Sequence, residues 1–418
     1  MQHPTSRRNF LKATALGTTA LGLTATSYAK VAGANERIAI GIIGCGSRGR
    51  GALMTGVNNH AKEQNIEITA VADPWRQQRE GAAAMCKEWY GRPARAFTSY
   101  RNVVDLDDVD AVMIGSCDHQ HTRHMEAAAR AKMDIYCEKP LAMDFERLKT
   151  ACDAVRENDL VFQAGTQVRS WPTSTACREF YKSGALGVVA RIEQHRNGAR
   201  PYWYGYLQDV NEQDVDWAEF LMDRPMRPFR PDLYSGWYGY RDFSDGPVPG
   251  LGSHFVDLVH FITGATFPVS AVCQGGTFTW IDEHEFTCPD HVQATWIYPE
   301  GFMVSYTTNF GSGYGNRICF YGDQGLLNLT PWSRPTISSA GTGAGKESSL
   351  PAEEQPLEPI PTPDHYLDWL QCLRSRRPCN ASLDAGYQHA VACILAVKAF
   401  DTGQRHVYDA EARTMQPG

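Results

Sequence analysis

The chain has twelve cysteines but no CxxC pair and no zinc-ligand spacing. That removes the small metal-stapled folds and gives no sign of a disulfide framework. Positive charge is also in short supply: 40 Lys and Arg stand against 47 Asp and Glu, a formal net charge of −7. Such a balance does not support binding to nucleic acid or to an anionic membrane surface. The apolar run over residues 13–26 is too short and too rich in Thr and Gly to span a bilayer, which needs about twenty apolar residues.

What the N-terminus does have is Ser6-Arg7-Arg8-Asn9-Phe10-Leu11-Lys12, then that apolar run, then the small residues around Ser27-Tyr28-Ala29. A charged start, an apolar middle and a small-residue end make a signal peptide, and the paired arginines before Phe-Leu-Lys resemble a twin-arginine export signal. Residues 1–29 are therefore expected to be removed and the mature protein to be periplasmic. The export machinery is then a partner, and with no cysteine near the cut no membrane anchor is expected. Removal takes Arg7, Arg8 and Lys12 and no acid, moving the charge from −7 to −10. Because twin-arginine cargo folds in a reducing cytoplasm, the cysteines read as free, small hydrophobes. The remaining length, about 390 residues, suggests two domains.

Residues 38–43 form a β-branched run ending in Gly44-Cys45-Gly46-Ser47-Arg48-Gly49, followed by helix-compatible sequence. Strand, glycine-rich turn and helix are the context of a dinucleotide fingerprint. Gly44 permits the tight turn, Gly46 the approach of a pyrophosphate, and Gly49 close helix–strand packing, with Ser47 and Arg48 beside the phosphates. A second strand, 66–72, ends in Asp73, whose carboxylate suits a ribose diol and favours NAD over NADP. Arg76 and Arg79 nearby weaken that preference, since either can reach a 2′-phosphate. A strand at 111–114 runs into Asp118-His119-Gln120-His121, and a helix over 122–131 leads to a strand at 134–137. This alternation predicts an α/β fold with a doubly wound parallel sheet that binds ligands at the carboxyl ends of its strands. His119, His121 and His124 lack a downstream partner set, so no metal is expected; His121 is assigned to the nicotinamide pocket instead.

The fifth strand ends in Glu138-Lys139-Pro140. With the glycine loop, Asp73, the turn at 118–121 and Gly252-Ser253-His254-Phe255-Val256-Asp257, this triplet resembles the family of glucose-fructose oxidoreductase, inositol dehydrogenase and the rhizopine-catabolism oxidoreductases. The resemblance implies an N-terminal nucleotide-binding domain (36–160) and a C-terminal α+β domain (161–400) with a large, mostly antiparallel open sheet that buries against a partner subunit, hence a homo-oligomer. It implies Lys139 and His254 as catalytic residues, with Asp118, His121, Glu138, Lys139 and Gln167 around the cofactor. A buried ammonium beside a cationic ring has a lowered pKa and can exchange a proton with an alcohol near neutral pH. Pro140 fixes the turn that aims it.

In the second half, stretches at 189–194, 271–275, 293–297 and 303–308 read as strands, 331–363 as a surface loop or arm, and 366–374 and 386–400 as helices. The aromatic stretches 201–206 and 237–241 suit the faces of sugar rings, and equally suit core packing. Arg169, Tyr202, Trp203, Tyr240, His254 and Asp257, with Lys139, are the substrate-contact candidates, Asp257 lying one helical turn beyond His254. One position departs from the family: where its polyol dehydrogenases carry an Asp four residues before the His, this chain has Gly250. His254, Asp257 and His260 do not make a metal set, because positions 254 and 260 diverge by about 240° around a helix. The expected function is hydride transfer between a retained NAD or NADP and a secondary alcohol of a sugar or sugar derivative. The alternatives are a redox-neutral, NAD-dependent glycoside-cleaving enzyme and a non-catalytic sugar-binding protein.

Overall fold

The computed structural model describes residues 37–418. The twin-arginine motif and the expected cleavage site lie outside the described residues. The chain begins with a strand buried on both faces, β1 (Ile38–Ile43), as a central strand of a parallel sheet must be. It is joined by β2 (Ile66–Ala72), β3 (Arg95–Phe97), β4 (Ala111–Ile114), β5 (Asp134–Cys137) and β6 (Phe162–Ala164) in the order β3-β2-β1-β4-β5-β6, all parallel. The order reverses between β1 and β4, so the crevice at their carboxyl ends is where a ligand is expected. The longer helices of this half are α1 (Gly49–Met54, running on through Thr55–Asn58), α2 (Arg76–Tyr90), α3 (His121–Arg130) and α4 (Phe145–Glu157). Asp144 starts α4 by accepting a hydrogen bond from the Arg147 amide at 2.9 Å, satisfying a donor that the first turn leaves free.

The second half is built on a ten-stranded sheet. Its strands are β7 (Val189–His195), β8 (Ser270–Gly276), β9 (His291–Ile297), β10 (Met303–Asn309), β11 (Arg317–Gly322), β12 (Gly325–Asn328), β13 (Thr336–Ser338), β14 (Gln355–Pro356), β15 (His406–Asp409) and β16 (Thr414–Pro417), in the order β14-β13-β12-β11-β7-β10-β9-β8-β15-β16. Every pair is antiparallel except β7 with β10. Thus β13 and β14 form within residues 331–363, which the sequence reads as a loop. Three and two residues long, they carry too little alternation to register as strands. Along β9, Val292, Ala294 and Trp296 turn inward while Gln293 and Ile297 are exposed. The inward face packs on the helices α5 (Pro172–Lys182), α6 (Ser253–Thr263) and α8 (Leu383–Thr402), with the Trp296 indole donating to the Ala392 carbonyl at 2.8 Å.

A last helix, α7 (His365–Ser375), does not stay with this sheet. Its Trp369, Leu370, Cys372 and Leu373 complete the core around Ile40 and Ile42 of β1. The chain just beyond it returns to β6, where the Ala164 amide donates to the Ala381 carbonyl at 2.8 Å. No described helix is long and apolar enough to cross a membrane. All twelve cysteines are free thiols, eleven buried and Cys117 half-buried.

Candidate active site

Each glycine of the first turn stands where a side chain would change the geometry differently. Gly44 has φ +90°, and a Cβ there would lie 2.4 Å from the Ser116 amide nitrogen. A Cβ on Gly49 would lie 2.0 Å from the Gly44 carbonyl oxygen, so α1 closes onto β1 only without one. A Cβ on Gly46 would meet nothing within 4 Å, because it points into a cleft of about 570 Å³. That open space above a glycine backbone fits the approach of a dinucleotide's phosphates. Gly44, Gly46, Ser47, Arg48 and Asp73 line the cleft.

Asp73 ends β2 with both carboxylate oxygens engaged: Oδ2 accepts from the Cys45 amide at 2.7 Å and Oδ1 from the Trp75 amide at 2.8 Å. Burial pushes its pKa up to about 6, and those two amides hold it from rising further. Asp73 therefore clamps the glycine loop to β2 as well as facing the cleft. Arg76 is turned away into an ion pair with Asp214, and Arg79 donates to the carbonyls of Asp73 and Pro74. Neither lines the cleft; Arg50 and Gln78 stand there instead.

At the other end of the cleft, Glu138, Lys139, Asp118, His121 and His254 converge. Glu138 accepts from Arg48 Nε at 2.8 Å and from Gln167 Nε2 at 2.9 Å, joining the glycine loop to the end of β5. Gln167 thus stands behind Glu138 and does not line the cleft. The Lys139–Pro140 peptide is cis, and Lys139 Nζ donates to the Gly250 carbonyl at 2.7 Å. Burial lowers the Lys139 pKa, while Glu138 and Asp118 resist that shift. Burial raises Asp118 to about 8, and the nearby Lys139 charge and a 2.9 Å hydrogen bond from Ser244 Oγ limit the rise. The His121 ring lies between the carbonyls of Pro140 (2.7 Å) and Ser116 (3.0 Å), and burial lowers its pKa. A neutral ring has one N–H, so it donates to only one of the two. The sequence reading missed Ser244, which no local pattern marks and which only the fold carries to Asp118.

His254, in the first turn of α6, has a buried Nδ1 without a partner among the described residues. Asp257 does not orient it. Its carboxylate is held by Arg169, with Nε to Oδ2 at 3.0 Å and Nη2 to Oδ1 at 2.7 Å. Burial works to raise the Asp257 pKa, but Arg169 and His389 overcome it and leave the group well below the usual carboxylate range. The Arg169 and Asp257 side chains are both buried in this ion pair and neither lines the cleft, where the sequence reading expects substrate contacts. The same correction applies to three aromatics. Trp203 and Tyr240 are core residues of an aromatic cluster, Tyr240 donating to the His284 carbonyl at 2.8 Å, and Tyr202 lies behind the wall. Tyr206, Trp237 and Tyr238 do line the cleft, together with Trp75, Tyr100, Phe220 and Tyr234, and the Trp237 and Tyr238 rings stack with centroids 3.6 Å apart.

The three histidines after β4 do not gather on one point. His119 donates from Nε2 to the Phe220 carbonyl at 2.9 Å from between the rings of Phe220 and Phe243, and His124 meets Ser116 Oγ. Among the described residues the one close group of possible metal ligands is Asp368, Cys372 and Cys379. The Asp368 oxygens already serve Arg377 and the Asn380 amide.

A cover closes the cleft. The segment between β7 and α6 reaches across to the first domain, where Val215 bridges Trp75 and the Asp216 amide donates to the Pro74 carbonyl at 3.0 Å. Glu219 accepts from Ser99 Oγ at 2.7 Å and pairs with Arg101, and the Trp75 ring meets Tyr234 edge-on at 5.7 Å. Gly205 to Gln208 and Tyr234 to Tyr238 thereby wall the cleft opposite the glycine loop.

Two family descriptions match the chain: "Oxidoreductase family, NAD-binding Rossmann fold" over residues 38–166 and "GFO/IDH/MocA C-terminal domain" over residues 214–328. Among characterised relatives, levoglucosan dehydrogenase of Pseudarthrobacter phenanthrenivorans is 27% identical over 187 residues, covering 44% of this chain and 40% of that protein. Inositol 2-dehydrogenase of Rubrobacter xylanophilus is 30% identical over 238 residues, 55% of this chain and 63% of that protein. The chain thus spans about half the length of the curated relatives it matches. In fold it is similar to the WlbA dehydrogenase from Bordetella pertussis, solved with NADH and UDP-GlcNAcA, at TM-score 0.66 and 18% identity over 88% of this chain and 98% of that one. The aldose-aldose oxidoreductase from Caulobacter crescentus, complexed with glycerol, gives 0.66 and 17% over 88% and 99%. With a six-stranded parallel domain, an open mostly antiparallel sheet and both family descriptions matched in order, the chain belongs to the Gfo/Idh/MocA oxidoreductase family.

Proposed function

We propose that this protein transfers a hydride between NAD and a secondary alcohol of a sugar or sugar derivative, that it is exported by the twin-arginine route, and that it keeps its nucleotide. The observation that carries the reading is the convergence of Lys139 and His254 at one end of a dinucleotide cleft whose opposite wall is Tyr206, Trp237 and Tyr238. Aromatic faces with polar edges suit a pyranose, which presents apolar C–H faces and hydroxyl rims. The relatives include a levoglucosan and an inositol dehydrogenase, which supports a polyhydroxylated ring as substrate.

When bound, the nicotinamide accepts or supplies the hydride. Ser47, Arg48 and the glycine-loop amides would hold the phosphates, and Asp73 the ribose. In the oxidation direction Lys139, as the neutral amine, accepts the hydroxyl proton while the C–H hydride leaves the same carbon, so a C=O forms from C–H and O–H. Desolvation of Lys139 favours that neutral amine. His254, also neutral through burial, positions the hydroxyl and can share its proton. The cover over the cleft supports retention, because it is tied to the first domain by Arg76–Asp214 and Ser99–Glu219 and part of it lines the cleft. Retention suits a periplasmic enzyme, which draws on no free dinucleotide pool. The outer face of the large sheet, with Val269, Val272 and Ile297 exposed, supports a homo-oligomer.

Denaturing the purified mature protein and assaying the supernatant tests this. One NAD per chain is expected, reduced in place when levoglucosan, myo-inositol or glucose is added first. An empty supernatant with activity only on added nucleotide overturns retention. Release of an aglycone from a glycoside with no net change at the nicotinamide overturns net hydride transfer in favour of redox-neutral cleavage.

A further inference from the structure

Position 250, where the sequence reading expects a carboxylate, is not an empty place. A Cβ on Gly250 would lie 2.3 Å from the Tyr202 hydroxyl oxygen and 3.3 Å from its Cζ. A side chain at 250 and the tyrosine at 202 therefore exclude each other. The Tyr202 ring is set edge-on against Trp203 at 5.2 Å, Tyr238 at 5.4 Å and Phe310 at 6.0 Å, which fixes where its hydroxyl ends. That hydroxyl is buried and has no hydrogen-bond partner among the described residues, which is uncommon for a buried polar atom. The carbonyl of Gly250 itself takes the hydrogen bond from Lys139 Nζ at 2.7 Å. The peptide lies in the short helical turn Val248–Gly252, whose start is held by Tyr306 donating to the Pro247 carbonyl at 3.2 Å.

We propose that Tyr202 is a positioning residue for Lys139, its hydroxyl standing in the space of a side chain at position 250 and holding the Gly250 carbonyl toward the ammonium. The inference rests on the reading of Lys139 as the proton-transfer group. Its chemical consequence is the removal of a charge. Lys139 is already faced by Glu138 from its own strand end, Asp118 and His121 from the turn after β4, Arg48 from the glycine loop, His254 from α6 and Cys393 from α8. An aspartate at 250 would add a further anion and favour the ammonium. A tyrosine adds none, and burial keeps its phenol un-ionised. The site thus anchors the lysine through a peptide carbonyl while adding no anion that would favour the ammonium.

Two measurements test this, one of which needs no substrate. The pH midpoint of Lys139 is read by competitive labelling with acetic anhydride and mass spectrometry in the nucleotide-loaded protein. Tyr202→Phe, which keeps the ring, is expected to lower that midpoint because the carbonyl anchor relaxes. Tyr202→Phe with Gly250→Asp is expected to raise it above wild type by about one pH unit. With glucose, myo-inositol or levoglucosan as the alcohol, Tyr202→Phe should lower kcat at least about ten-fold with little change in KM, and the acid limb of the pH profile should follow the labelling midpoint. Identical midpoints in wild type and both variants overturn the proposal even if turnover is normal. Wild type that reduces its nucleotide with none of the three alcohols sinks the function reading instead, and the labelling still decides Tyr202. A third readout checks the mutual exclusion: Gly250→Ala should lower Tm in the wild type and much less in Tyr202→Phe. Equal losses in the two backgrounds count against it.

Discussion

Lys139 owes its chemistry to a balance that single substitutions can tip. Burial disfavours its charge, Glu138 and Asp118 favour it, and Arg48 opposes it. Lys139→Ala removes the proposed proton acceptor without touching the glycine loop, so hydride transfer should fall by about 10²–10⁴-fold while the nucleotide recovered per chain stays the same. Stopped-flow absorbance of the loaded enzyme, paired with nucleotide quantitation, checks both. These residues are legible in the sequence because backbone geometry dictates them: Gly44, Gly46 and Gly49 each answer to a specific steric demand, and the Glu138-Lys139-Pro140 turn sits at a strand end. The substrate wall is not. Trp203 and Trp237 occur in equally aromatic stretches, yet one is core and the other lines the cleft. Which ring faces inward depends on how the segment crosses the other domain, and no local spacing encodes that. Arg169 and Asp257 mislead for the same reason, since a buried charged pair and a substrate clamp use the same residue types.

At the scale of elements, β3 (Arg-Ala-Phe) offers no β-branched run to read, whereas β1, β2, β4 and β5 follow from their apolar runs. The cover over the cleft does not, because short helices joined by irregular chain have no period to read. The hold on the nucleotide that we propose for it rests on a few contacts. Glu219→Ala cuts the ties to Ser99 and Arg101 at once, and Asp214→Ala frees Arg76. The double variant should release bound NAD at least about ten-fold faster on dilution, by fluorescence of the reduced form, with the fold intact; an unchanged release rate means the cover does not gate the nucleotide. The packing of α1 on β1 is less forgiving. Gly49→Ala puts a methyl 2.0 Å from the Gly44 carbonyl, and a loss of about 2 kcal/mol or more in stability is expected from urea unfolding.

For the whole molecule, buried ionisable groups set a pH window. His119 and His260 are held near pKa 3 and His365 near 4, chiefly by burial. Their neutral forms are native-like above the unfolded value of about 6.5, so this stability is complete there and is lost as pH falls. Asp118 and Asp245 are raised to about 8 and about 7, again by burial. Between their unfolded and folded values the native state binds more protons, so stability falls as pH rises toward 8. The nucleotide-free protein should therefore be most stable near pH 6.5. Asp118 alone accounts for a loss on the order of 2 kcal/mol between pH 6.5 and 8, or about 3 °C in Tm. Asp118→Asn should flatten that descent in a calorimetric pH series; a parallel curve would show that Asp118 does not titrate in this range.

The return of α7 to the first sheet has a consequence for how the chain comes into being. The core beneath the nucleotide-binding strands is finished by Trp369, Leu370 and Cys379, and β6 is pinned by the carbonyl of Ala381. A ribosome that has delivered all six strands of that sheet has still not delivered the residues that close it. The first domain to be synthesised is thus among the last to be completed, and nucleotide capture is expected to wait for the end of translation. Ribosome-stalled chains ending near residue 340 should bind no NAD, whereas those with residue 400 outside the exit tunnel should.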